Sequence, residues 1–223
     1  MRRSLFIFIV AIVGTGILVS LGKWQVDRLA WKQDILAKID ARIQDPEIPL
    51  PLTFDAINDK YQSVVFDGRL RGDFIRVLAS LKNVGAVNKV IAPVLVGDRT
   101  IMVDLGYIKE VDIDTLSLQG TVSIKGNLHW PQEVDGYTPE PDKNRNLWFA
   151  RETTAMAEHF DAENVLVVAK SLEPKPDKLT LMPLDTSGIP NDHLNYAITW
   201  FSLAMVWIAM SALFIWRTRQ KVK

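Results

Sequence analysis

The stretch Asn191-Asp192-His193-Leu194-Asn195-Tyr196-Ala197-Ile198-Thr199-Trp200, continued to Leu213-Phe214-Ile215-Trp216, decides the fold. Residues 197–216 are 20 positions without a formal charge. As helix they cover about 30 Å, the hydrocarbon thickness of a bilayer. They predict a membrane-spanning helix with a polar entry, and His193 stands at its mouth, where a neutral imidazole could meet a ligand at the membrane surface. His193, Ala197, Trp200, Ala204, Trp207 and Ser211 recur at intervals of four and three, so they share one stripe of that helix. Aromatic and small residues alternate along it. Trp207 falls near the bilayer middle, away from the interfaces that Trp prefers, which predicts that it faces protein or an apolar ligand. The small residues permit close approach of another helix, with Gly14 and Gly16 as candidate partners.

A second apolar run occupies residues 5–21, 17 positions without charge. A signal peptide is the competing reading. The run exceeds the usual signal core of about 7 to 15 residues, and Leu18-Val19-Ser20-Leu21-Gly22 offers no small-x-small cleavage pattern, which favours an uncleaved anchor. Arg2 and Arg3 precede the first span, and Arg217, Arg219, Lys221 and Lys223 follow the second, so the positive-inside rule places both termini in the cytoplasm. The intervening chain is then expected across the membrane. A span that begins at residue 5 leaves no room for a transit peptide, so the bacterial inner membrane and a periplasmic domain are expected. The 26 basic and 26 acidic side chains balance, which removes any electrostatic reason to expect nucleic acid. The chain has no cysteine, which excludes disulfide exchange and Cys-based copper delivery.

After the first span, Gly22-Lys23-Trp24-Gln25-Val26-Asp27-Arg28-Leu29-Ala30-Trp31-Lys32 continues with Leu29, Leu36 and Ile43 at a helical period. Trp24, Arg28 and Trp31 fall on one face, either an aromatic interface belt or a partner surface. Pro46, Pro49 and Pro51 end the helix. Residues 62–70 and 74–81 predict a hairpin around Arg71-Gly72-Asp73. Residues 89–96 and 99–107 predict another, joined by Gly97-Asp98 in type II′ geometry. Residues 121–130 give a fifth strand, 131–146 a long loop, 153–160 a short helix with a Thr cap, 164–171 a sixth strand and 179–184 a weaker seventh.

The expected architecture is therefore an α+β membrane protein. Two transmembrane helices flank one small, mostly antiparallel β extracytoplasmic domain with a short helix. Its segments are the first transmembrane helix (1–21), a membrane-proximal helix (22–45), the domain (46–195), the second transmembrane helix (196–216) and a basic tail (217–223).

Three blocks of this sequence together resemble the surfeit-locus-protein-one family: Gly22 through Lys32 as quoted, Asn146-Leu147-Trp148-Phe149-Ala150-Arg151-Glu152, and His193-Leu194-Asn195-Tyr196-Ala197-Ile198-Thr199-Trp200. The order of the blocks and the two-span topology resemble that family as well. Two local patterns depart from it: Leu105 rather than an Arg precedes Gly106-Tyr107, and no His occurs in Gly68-Arg69-Leu70-Arg71-Gly72-Asp73-Phe74. The resemblance implies an assembly factor for haem-copper cytochrome c oxidase that assists haem a binding and insertion into subunit I. A haem-free scaffold stabilising subunit I is the alternative.

On the haem reading, His193 is the axial iron ligand, with Tyr196 and Trp200 beside the macrocycle. The competing reading of His193 is an interfacial residue that hydrogen-bonds a headgroup or loop. Trp24, Arg28, Trp31 and Arg151 are the candidate partner-binding residues. Subunit I, the haem a synthesis machinery and the lipid bilayer are the expected partners. His129 and His159 stand in no metal-ligand spacing, and carboxylate pairs such as Asp112 with Asp114 have no Ser or His partner, so no enzymatic activity is expected.

Overall fold

The computed structural model describes residues 2–82 and 84–220, with the side chains of residues 2–4 and 219 outside the description. The cations that orient the termini, Arg2, Arg3, Arg219, Lys221 and Lys223, accordingly lie outside the described residues or side chains. The chain divides into two compact units, Met1–Lys38 with Thr186–Lys223, and Ile39–Asp185.

The first unit is a pair of long helices. Helix α1 (Arg2–Ile43) runs 42 residues without interruption, so the span and the membrane-proximal segment are one helix. It has no internal proline, and it ends where the Gln44 N–H bonds back to the Asp40 carbonyl, two residues before Pro46. Helix α3 (His193–Gln220) is its antiparallel partner. Both are long and apolar enough to cross a membrane. Their direction follows from the contacts: Gln25 meets His193, Gly22 meets Phe201, and Gly14 meets Trp207. A Cβ on Gly14 would sit 2.7 Å from the Trp207 indole, and one on Gly22 would sit 2.7 Å from the Phe201 ring. Both glycines are therefore seats for an aromatic ring. On α3 the covered positions include Ala197 and Ala204, seven residues apart, the repeat of a two-helix seam.

The second unit is a β-barrel with one helix on its outer face. Its strands are β1 (Ile48–Pro49), β2 (Ser63–Arg71), β3 (Ile75–Leu81), β4 (Gly85–Val96), β5 (Arg99–Ile108), β6 (Gln119–His129), β7 (Leu147–Trp148) and β8 (Leu166–Glu173). The sheet order is β1-β2-β6-β8-β5-β4-β3-β7. A further pairing of β2 with β4, at Arg69↔Leu95 and Leu70↔Val94, closes β2, β6, β8, β5 and β4 into a ring. Within the ring only β5 and β8 run parallel. Inside it, alternate residues from every strand form the core: Val64 and Leu70, Val94, Ile101 and Val103, Ile124, and Val167. A second cluster lies outside, where helix α2 (Thr153–Phe160) brings Met156 and Phe160 against Ile75, Ile91, Met102 and Leu166. Strands β4, β5 and β8 are thus covered on both faces, and they read as continuous apolar runs rather than alternating ones.

Three local expectations are corrected. Strands β2 and β3 are not a hairpin: β3 pairs antiparallel with β4, and β2 pairs along its whole length with β6. The long β4 accepts β3 along one half and the end of β2 at the other, so the chain between them turns a barrel corner. The weak strand at 179–184 is reduced to one bridge, Tyr107↔Thr180. Helix α2 has Glu152, not a Thr, at its N-cap, without a side-chain cap bond. The β4–β5 hairpin turns at Gly97-Asp98, with Gly97 at φ +59° as a type II′ turn requires.

Candidate functional site

His193 opens α3. The Tyr196 N–H bonds to the Asp192 carbonyl, the first hydrogen bond of the helix. The His193 ring is half-buried, and its Nδ1 lies 2.8 Å from Oε1 of Gln25 on α1. Gln25 is itself 7% exposed, a buried carboxamide whose oxygen would be costly to leave without a donor. Nδ1 of the first-turn imidazole is therefore engaged by a side chain of the same helical pair. Sequence reading missed Gln25. The available signal was its spacing, three residues after Gly22, on the face that meets α3.

Below His193 the expected stripe faces α1. Ala197 and Ala204 are buried, Trp200 is half-buried, and Trp207 donates its indole N–H to the Ala11 carbonyl at 3.1 Å. Trp207 thus faces protein, seated on Gly14. Gly16 instead lines an apolar groove of about 470 Å³ with Phe8, Ile12, Ile208, Ala212 and Ile215. Along α3 that groove begins 15 residues from His193, about 22 Å at the helical rise, and on α1 it reaches Val19, six residues from Gln25. Tyr196, one turn before Trp200, is exposed.

Trp24 and Trp31 are 53% and 49% exposed. The Arg28 guanidinium lies 4.2 Å from the centre of the Trp31 ring, a cation–π pair that keeps both groups on one outward face.

Arg151, the fourth expected contact residue, belongs to the barrel unit and lies against the outer face of the barrel wall. Its side chain is 11% exposed. Nη1 donates to Asp104 Oδ2 at 2.8 Å, and Nε and Nη2 donate to Glu133 Oε1, with Nε at 3.0 Å. Its backbone N–H reaches Glu133 Oε2 at 2.9 Å. Asp104 is fully buried on β5 and also accepts Lys89 Nζ at 3.3 Å and the Gly106 N–H at 3.0 Å. Gly106, two residues on, has φ +97°, and a Cβ there would lie 2.1 Å from the Thr180 carbonyl.

Two cations and two carboxylates thus neutralise one another, tying the loop after β6 to the barrel wall. Burial alone would raise the Glu133 carboxyl, but the hydrogen bonds and charge of Arg151 leave it below the usual range. Neighbouring His129 stacks on Tyr61 and is pushed down to about 4, first by burial and then by the charges of Arg151 and Lys60. His159 packs edge-on to Trp148 and Phe160 on the outer face.

Among the described residues, no group of three or more His, Asp or Glu side chains converges to hold a metal ion. The donor set at the head of α3 is one imidazole with Nδ1 engaged. That set suits an iron whose remaining ligands come from a macrocycle, and it does not suit a bare metal ion.

Together these features define a two-helix membrane protein that carries a closed β-barrel between its helices in the chain, with a histidine at the head of the second helix. The SURF1 family model matches residues 12–205, and the chain belongs to that family. It is 28% identical to a SURF1-like protein of Rickettsia conorii, over 93% of this chain and 90% of the relative. It is 28% identical to Surfeit locus protein 1 of Xenopus tropicalis, over 82% and 67%. With the human protein of the same name the identity is 27%, over 82% and 69%.

Proposed function

We propose that this chain is a non-enzymatic assembly factor for haem-copper cytochrome c oxidase, one that binds haem a and assists its insertion into subunit I. Membership of the SURF1 family supports the assembly role. The observation that carries the haem reading is His193 itself, an imidazole at the head of a membrane-length helix with Nδ1 held by Gln25. Haem a is the cargo, and it supplies the iron centre of the oxidase. His193 would hold the iron, Trp200 would flank the macrocycle on the same helix face, and Tyr196 would border it from the exposed side. The protein would sit in a bacterial inner membrane with both termini cytoplasmic and the barrel periplasmic, near the haem a synthesis machinery.

The test is the visible spectrum of the full chain purified from cells that make haem a. Bound haem is expected in the wild type and is lost in His193→Ala. A wild type without haem, or equal occupancy in the variant, sinks the ligand assignment.

A haem-free scaffold is the second reading. The outward face formed by Trp24, Arg28 and Trp31 favours it, because exposed Trp and Arg are the residues that anchor protein interfaces. On that reading, crosslinks to subunit I fall in Trp24→Ala and Trp31→Ala while His193→Ala leaves them unchanged. Arg151 serves either reading from the outer wall of the barrel, through Asp104 and Glu133.

A further inference from the structure

We infer that Gln25 is a positioning residue that fixes His193 with its proton on Nδ1, so that Nε2 is the nitrogen the chain presents for ligation. The consequence for iron rests on the proposed function; the tautomer does not. A neutral imidazole carries one proton and can place it on either nitrogen. An amide oxygen has no hydrogen to give, so the 2.8 Å contact with Gln25 Oε1 is made only when Nδ1 donates.

The surroundings hold this choice in place. Gln25 is buried, so water does not offer its oxygen an easy substitute for the imidazole donor. Gly22, one turn before it, seats Phe201, and Gly14 seats Trp207, so two ring-on-glycine contacts fix the register that brings Gln25 level with His193. The arrangement has the form found behind metal-bound histidines, where the second ring N–H is donated to an acceptor that sets tautomer and ring orientation. Here the acceptor is a neutral carboxamide on the other helix. Ligation is thereby coupled to the pairing of α1 with α3.

The experiment needs no haem. The full chain, with ¹⁵N-labelled histidine, is placed in lipid nanodiscs at pH 8.5, above the ordinary imidazole range. Long-range ¹H–¹⁵N spectra of the three histidines are assigned with His193→Asn. For His193 we expect a protonated Nδ1 and an unprotonated Nε2. Gln25→Leu keeps the bulk and removes the acceptor, and should lower the Nδ1–H to Nε2–H ratio by about fivefold, the worth of one ordinary hydrogen bond. Gln25→Glu keeps an oxygen acceptor and should retain the wild-type tautomer, which separates loss of the acceptor from loss of helix pairing. A dominant Nε2–H form in the wild type, or an unchanged ratio in Gln25→Leu, overturns the inference.

Titration of the same samples with ferric haem reads the consequence. Affinity should fall about tenfold in Gln25→Leu, the lower end of what losing such an acceptor costs a metal site, and hold in Gln25→Glu. A wild type that shows the Nδ1–H form yet takes up no haem overturns the proposed function and leaves the role of Gln25 standing.

Discussion

Replacing Arg151 with methionine keeps most of the side-chain volume and removes the guanidinium that faces Asp104 and Glu133. Breaking a buried ion pair from one side costs about 3 to 5 kcal/mol, because the remaining charge is stranded. Asp104 keeps Lys89 at 3.3 Å and the Gly106 N–H, and Glu133 reaches solvent, so about 3 kcal/mol is expected. For the Ile39–Asp185 unit, roughly 150 residues, each kcal/mol moves the midpoint by about 2 to 4 °C, so Tm should fall by about 6 to 12 °C. The assay is thermal unfolding of the full chain in detergent, followed by near-ultraviolet circular dichroism. Asp104→Asn, made alone and together with Arg151→Met, completes a cycle in which the double variant should lose at least about 1 kcal/mol less than the sum. A shift below about 2 °C, or strict additivity, refutes the claim that Arg151 acts by compensating Asp104.

His129 makes the barrel sensitive to acid. Its folded value is depressed to about 4 from 6.5. The stabilisation is therefore complete above pH 6.5, where both states are neutral, and is lost as pH falls from 6.5 towards 4 while only the unfolded chain takes up the proton. The loss is about 2 to 3 kcal/mol, and urea midpoints across that range should flatten in His129→Gln. In the helical pair, Gly14→Leu would drive a side chain into Trp207, whereas Gly16→Leu meets open space. With no native cysteine, crosslinking of a Gln25→Cys/His193→Cys chain by a short bifunctional thiol reagent reads the pairing. Its yield should fall about tenfold with Gly14→Leu, from a few kcal/mol of overpacking, and stay level with Gly16→Leu; equal yields would refute the seat assigned to Trp207.

The helices, the II′ hairpin at Gly97-Asp98 and most strand positions are legible in the sequence because each is written locally, as an uncharged run, a glycine at a turn or a β-branched segment. The pairing of strands is not written that way. Residues 62–70 and 74–81 look like a hairpin because Arg71-Gly72-Asp73 is a good turn, but the partner of β2 is β6, some fifty residues on. At the candidate site, the stripe that runs down from His193 follows from spacing, whereas the role given to His193 came with the family resemblance. Gln25 was hidden because its partner is 168 residues away and glutamine among Trp, Lys and Asp reads as an ordinary interfacial residue. Asp104 was hidden inside an apolar strand, where only the structure supplies Lys89 and Arg151, and Arg151 reads as a contact residue until Glu133 is seen beside it.

The place of β8 in the barrel sets a condition on how the protein is made. β8 is the last long strand of its unit, yet it lies between β6 and β5. A nascent chain that has not delivered residue 173 holds two open sheet edges facing each other across a gap, the state most prone to pairing with a neighbour. Closure must await the arrival of a strand about sixty residues beyond β5, most of that wait being the closure entropy of one long loop. The second membrane helix starts only 20 residues after β8 ends, so barrel closure and insertion of that helix fall in the same short interval of synthesis. A chain cut short by even a few dozen residues before β8 would be left as an unclosed sheet on a single anchor.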